Sequence, residues 1–425
     1  MRTVFLDQLD PKDLRTLTRR RAVPDPEVRS AAAEICEQVR QRGAEAVVEY
    51  AGRHGGGLLR VPAKEMETAV KSLDPQVRQA LDRSIEAIIA FHAAQIPQEV
   101  IVETHPGVEI SRRWQPLHRV GAYVPGGSAP LPSTALMTVI PARLAGVAEI
   151  VVTSPAAGTG EPHPVTVAAA LAGATEFWAV GGAQAIAALA FGAGDLDPVE
   201  KIVGPGNPWV TAAKLAVFGA VAIDLPAGPS EVLVLADASA DPRLVAVDLL
   251  CQAEHGPDSP AVLVTTDPTL PAKVEAEIEG LLPRLSRREI LEKTLAVHSL
   301  VVIAPDPVAA RRFAQSYAAE HVSIATADPE TDAAHLTGAG SVYIGAYAAE
   351  SAGDYATGAN HVLPTGGLAG ACSPLGVEDF GSYRQEQRIT REGLARLRST
   401  ITTLAGVEGL DAHALAASMR FQEKK

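Results

Sequence analysis

Cysteine is scarce in this chain, and its three residues, Cys36, Cys251 and Cys372, stand far apart. An odd, scattered set argues against a disulfide framework and for a reducing compartment, which the cytoplasm supplies. Aromatic residues make up only 4% against 47% hydrophobic overall, so the apolar content is aliphatic and small, the composition of helices packed on parallel strands. Basic charge is outweighed: 37 Lys and Arg face 50 Asp and Glu, for a net charge of −13. That balance argues against a nucleic-acid or anionic-membrane partner and for a small-molecule substrate. No stretch is long and uncharged enough to span a bilayer, and Asp7 follows Met1 closely where a signal peptide needs an apolar run. A soluble protein is expected. The dinucleotide fingerprint GxGxxG is also missing from the strand-to-helix turns.

What is present has the length for two or three domains with full cores, at 425 residues. Asp74-Pro75 is a helix start, an N-cap followed by proline at the first helical position, and opens a long helix through Leu81 and Ile88. Val100-Ile101-Val102 and Val108-Glu109-Ile110 around His105-Pro106-Gly107 predict a hairpin. From Gly121-Ala122-Tyr123-Val124-Pro125-Gly126-Gly127-Ser128 to about Asp237, strand candidates at 150–152, 176–180, 201–203 and 221–224 alternate with helices, the order of βαβ units on a parallel sheet. Glycine-bearing loops, Gly181-Gly182-Ala183-Gln184 and Gly204-Pro205-Gly206-Asn207, follow two of these strands. Glycine there either closes a tight turn or lets a phosphate approach a helix N-terminus, and three such loops on one sheet edge would form a crevice.

A second α/β stretch has strand candidates at 262–265, 300–303 and 341–345. The helix from Pro307 is expected to run to about Glu320-His321, which makes His321 a helix-end residue. The tail from Arg384 reads as charged and helical, without strands, and residues 1–20 as a short amphipathic segment. In Cys251-Gln252-Ala253-Glu254-His255-Gly256-Pro257, Gln252 and His255 are three apart at the expected end of a helix, where an amide oxygen and an imidazole can converge on one ion. Spacing alone more often marks a polar patch. Cys251, as a thiol that could capture an aldehyde, is a rival catalytic group, but its apolar helix face favours an inert thiol.

Taken together, the motifs at 121–128, Gly204-Pro205-Gly206-Asn207, Ala227-Gly228-Pro229-Ser230-Glu231, Gln252 to Asp258, Glu320-His321, 350–364 and 408–413 give the chain a nearly end-to-end resemblance to the histidinol dehydrogenase family. The resemblance implies an α/β fold of two incomplete Rossmann-like domains with parallel-rich sheets and extended N- and C-terminal helical arms, of the histidinol/aldehyde dehydrogenase-like kind. It implies an N-terminal arm at 1–22, a catalytic zinc-binding domain from 23–120 and 237–380, an NAD-binding domain at 121–236 and a C-terminal arm at 381–425. It also implies a homodimer with shared active sites.

The implied reaction is the four-electron oxidation of L-histidinol through L-histidinaldehyde to L-histidine, the last steps of histidine biosynthesis, with two NAD and one zinc per subunit. By position, the family's zinc ligands fall on Gln252, His255, Asp354 and His413, its general base on His321 and its water-activating residue on Glu320. Substrate contacts fall on Ser230, His321, Glu350, Asp354, His361 and Glu408 together with the metal ligands, and NAD contacts on Tyr123, Gln184 and Asn207. The chain departs from the usual family pattern at Val322-Ser323-Ile324 and across 379–388. The alternative is a related zinc and NAD dehydrogenase of another small polar alcohol, such as a sulfonated diol.

Overall fold

The computed structural model describes residues 1–20, 22–53, 56–126, 130–155 and 163–422. Gly127 and Ser128 of the first glycine motif lie outside the described residues. The chain divides into two compact units, one of Met1–Gln95 and Leu117–Phe380, the other of Ile96–Pro116 with the chain from Gly381 onward.

The strands are β1 (Arg2–Phe5), β2 (Leu59–Val61), β3 (Val100–His105), β4 (Val108–Pro116), β5 (Arg119–Tyr123), β6 (Glu149–Ser154), β7 (Glu176–Ala179), β8 (Lys201–Val203), β9 (Ala222–Ile223), β10 (Val232–Ala236), β11 (Ala261–Thr265), β12 (Leu300–Ile303), β13 (His321–Ala325), β14 (Ser341–Ile344) and β15 (Gly381–Ile389). The larger unit holds two six-stranded sheets. One has the order β2-β7-β6-β5-β8-β9, parallel except for the edge strand β2. The other, β1-β12-β11-β10-β13-β14, is parallel throughout. In the latter, β10 is buried along its whole length and alternates its side chains between two cores. Val232 and Val234 pack with Leu249, Leu263 and Val274, whereas Leu233 and Leu235 pack with Val264, Phe313 and Val322. Burial on both faces explains why these strands are continuous apolar runs.

Each sheet reverses its winding once. In the first, the chain passes from β5 outward through β6 and β7, then returns to β8 on the other side of β5; in the second, it leaves β10 through β11 and β12 and returns to β13. Parallel strands put the carboxyl ends of β5, β7 and β8 at one edge, with Tyr123 closing β5 and Gln184 and Asn207 just beyond β7 and β8. The crevice between β5 and β8 is a topological switch point, where α/β sheets bind ligands.

Four local expectations are corrected. The helix Pro307–Tyr317 stops before Glu320, because Ala318 takes a left-handed conformation at φ 48°, and His321 opens β13. Arg2–Phe5 is an edge strand paired in parallel with β12. Gly381–Ile389 is a strand that pairs with β4 along its full length, so the tail begins with a strand before its helices Arg391–Glu408 and Asp411–Ser418. The helix Pro242–Ala253, capped by Asp241, ends two residues before His255. Pro257 accounts for that end, since a proline ring clashes with the carbonyl four residues back, here that of Ala253. The amide of His255 still donates to the carbonyl of Gln252 at 3.1 Å, so the two stay adjacent in a final turn. Among the described residues, no helix is long and apolar enough to cross a membrane.

Candidate active site

The second sheet gathers polar groups at the amino ends of its strands. Glu231 immediately precedes β10, His321 opens β13 opposite Val232, and the helix Pro242–Ala253 runs back so that its end brings Gln252 and His255. A short helix, Glu350–Tyr355, adds Glu350 and Asp354.

Glu320 is buried, and its Oε2 accepts from Ser230 Oγ at 2.6 Å and from the amide of Glu231 at 2.9 Å. Burial pushes its pKa well above the ordinary carboxylate range; the bond from Ser230 opposes this and the charge of Asp354 adds to it. His321 is 2% exposed. Its Nδ1 lies 3.3 Å from the carbonyl oxygen of Glu231, and because a carbonyl only accepts, the ring proton is assigned to Nδ1. Nε2 is buried and has no hydrogen-bond partner among the described residues. Burial, reinforced by His255 and His361, depresses the His321 pKa to about 3, so the ring is a neutral base with one free lone pair. Tyr343 packs on it at 6.0 Å between ring centroids.

Beside this pair, His255, Glu350 and Asp354 each offer a ligand atom, all within 4.8 Å of one another. His255 Nε2 is 3.9 Å from Asp354 Oδ2. Burial lifts the pKa of Asp354, opposed by His255, and lowers that of His255, opposed by Asp354. Glu350 is fully buried with both carboxylate oxygens unpartnered, and burial followed by the charges of Asp354 and Glu320 drives its pKa well up. The amide oxygen and nitrogen of Gln252 are likewise buried without partners among the described residues. Orphaned buried acceptors are costly, and a cation between these groups would satisfy the carboxylate and amide oxygens. The donor set of imidazole nitrogen, carboxylate and amide oxygens fits zinc. Glu350, expected as a substrate contact, therefore sits within reach of the same ion as His255 and Asp354.

His361 completes the pocket wall. Its Nδ1 is 3.1 Å from the carbonyl oxygen of Asp354 and its Nε2 3.4 Å from Thr134 Oγ1, while Asn360 donates to the carbonyl of Met137 at 2.8 Å. Thr134 and Met137 belong to the helix Pro132–Ala145, which follows β5. The segment carrying His361 thus joins the acidic pocket to the glycine-loop edge of the first sheet. There, Tyr123 is buried and its hydroxyl accepts the amide of Gly182 at 3.1 Å, Gln184 lies in the first turn of the helix Ala183–Phe191, and Asn207 caps the helix Pro208–Val217. Gly204 sits at φ 112°, and an added Cβ would come 2.1 Å from the carbonyl oxygen of Tyr123. Its glycine is required by the turn itself.

His413 and Glu408 belong to the second unit, where both are exposed. Cys251 is half-buried, and burial with four acids around it holds its thiol protonated, so it is no nucleophile at neutral pH. Two groups escaped the residue-by-residue reading: Asp248, which accepts from Ser323 Oγ at 2.7 Å behind His321, and the carboxylate of Glu231. Asp248 stands one helical turn before Gln252, a spacing that flags it in retrospect.

A family model described as histidinol dehydrogenase matches residues 18–421. The histidinol dehydrogenase of Vibrio parahaemolyticus is 42% identical over 100% of this chain and 99% of its own. That of Idiomarina loihiensis is 46% identical over 93% and 91%. A crystal structure of histidinol dehydrogenase from Elizabethkingia anophelis superposes with a TM-score of 0.92 at 36% identity, covering 99% of this chain and 98% of that one.

Proposed function

Since the chain belongs to the histidinol dehydrogenase family, a group of oxidoreductases, we propose that it oxidises L-histidinol through L-histidinaldehyde to L-histidine with zinc and NAD. The observation that carries this reading is the joining of a neutral buried imidazole, His321, to an acidic pocket whose Gln252 and Glu350 side chains lack hydrogen-bond partners among the described residues. Gln252, His255 and Asp354 would hold zinc from this subunit, with His413 from the partner of a homodimer. When bound, zinc supplies a Lewis-acidic anchor for the substrate's nitrogen donors, and NAD accepts a hydride in each oxidation.

His321 Nε2 takes the hydroxyl proton of the alcohol, because its lone pair is free and its Nδ1 proton is committed to Glu231. Glu320 takes a proton from water as the water oxygen bonds to the aldehyde carbon, and passes a proton to the former carbonyl oxygen, giving the hydrate that is oxidised next. Glu350, His361 and the partner's Glu408 would hold the cationic substrate, and Tyr123, Gln184 and Asn207 the NAD.

The test is NADH absorbance on adding histidinol to zinc-loaded protein. Two NADH per histidine are expected; silence with histidinol and response to another polar alcohol would shift the assignment to a related dehydrogenase.

A further inference from the structure

The carboxylate of Glu231 has no part in the chemistry above, yet it is 3% exposed and fully engaged. Its Oε1 accepts the amides of Glu320 at 3.3 Å and Gly366 at 3.1 Å. Its other oxygen meets the guanidinium of Arg20, which lies 3.4 Å from the centre of the Tyr317 ring and donates to the Tyr317 carbonyl. In return the amide of Glu231 donates to the carboxylate of Glu320, and its carbonyl receives both the amide and the Nδ1 of His321. Glu231 and Glu320 therefore grip one another by amide and carboxylate in both directions. A charged acceptor buried this way stays only if its own charge is matched, and Arg20 provides the match.

We propose that Glu231, neutralised by Arg20, is a positioning residue: it fixes the backbone of Glu320 so that its carboxylate faces Ser230 and the pocket, and keeps His321 under the Glu231 carbonyl with Nε2 free. The inference rests on the acid–base roles given above. A group placed about an ångström from its productive position loses roughly a hundredfold in rate, whereas groups that contact substrate stay where they are.

With zinc-loaded full-length protein given histidinaldehyde and NAD, Glu231→Gln should lower kcat by roughly tenfold or more and leave both KM values within about twofold. Arg20→Met should do the same, and Arg20→Lys, which keeps the charge, should restore most of the rate. If Glu231→Gln does not fold, the Arg20 pair carries the kinetic test. Unchanged kcat in the variants that fold, or a rise in KM matching the fall in kcat, overturns the proposal. A wild-type protein silent with both histidinol and its aldehyde sinks the functional reading instead, and hydrogen exchange then decides on Glu231. The amides of Glu320 and Gly366 should exchange roughly tenfold faster in Glu231→Ala or Arg20→Met; unchanged protection there overturns the positioning role.

Discussion

His321 and Glu320 are neighbours in sequence, yet burial moves their proton affinities in opposite directions, which fits the different work proposed for them. His321, lowered to about 3, stays neutral across the physiological range and so keeps a lone pair for the proton removal proposed above; Glu320, raised by burial, would be the stronger base toward water once ionised. Glu320→Gln should therefore slow oxidation of supplied histidinaldehyde by about 100-fold or more and disturb the alcohol step far less, while His321→Asn should slow the alcohol step. Equal losses on both substrates for Glu320→Gln would remove its water-activating role. The same shifts set opposite stability slopes in metal-free protein. An unfolded histidine titrates near about 6.5, so the stability gained by burying neutral His321 is complete above that pH and is lost as pH falls toward 3. For Glu320 the folded state holds its proton more tightly, so its contribution is complete below about pH 4.3 and is lost as pH rises through its raised pKa. Urea midpoints should show it: between pH 7 and 5, His321→Asn should lose less than wild type, and between pH 5 and 8, Glu320→Gln should lose less. Parallel curves would contradict the shifts.

At the scale of elements, what was legible in the chain was whatever has a local cause. Asp74 with the proline after it caps a helix where expected, and the hairpin at His105-Pro106-Gly107 and the strands expected at 150–152 and 300–303 form on their apolar runs. What was hidden depends on tertiary partners. Gly381–Ile389 is polar and mostly exposed, and becomes a strand only because β4 pairs with it. Arg2–Phe5 needs β12, and His321 is drawn from an expected helix end into a strand by pairing with β10 and β14. The pocket was legible as a set of residue types in motifs, whereas the unpartnered state of Glu350 and the two-way bond of Glu231 to Glu320 exist only once β10 and β13 are side by side. Asn207 would serve two ends in the proposed NAD site. Its Oδ1 accepts the amides of Trp209 and Val210 as a helix cap, a role aspartate fills equally well. If NAD binds as proposed, Asn207→Asp should keep the melting temperature yet raise the KM for NAD several-fold, by setting a negative charge beside the cofactor's phosphates, whereas Asn207→Ala should lose about 1 kcal/mol of stability. An unchanged KM in Asn207→Asp would take this residue out of the NAD site.

For the whole molecule, the question is what the exposed ends of the second unit do. The larger unit has its own aliphatic cores around two six-stranded sheets, so chelation should abolish turnover and leave the far-ultraviolet dichroism and the cooperative melt in place; global unfolding would make the metal structural. His413 and Glu408 lie exposed on the two helices that close the chain, with Val407, Leu410 and Leu415 exposed around them. An apolar surface of this kind on a helical pair gains burial by packing on another subunit, and in the proposed homodimer His413 would serve the other chain's site beside its Asp354. Complementation tests this directly. Asp354→Ala and His413→Ala are each expected to be inactive alone. Refolded together, they should regain up to half of the wild-type rate per heterodimer if His413 acts on the partner, since one of the two sites then collects both defects and the other is intact. If His413 acts within its own chain, every site lacks one ligand and the mixture stays inactive, an outcome that counts once differently tagged subunits are shown to have paired.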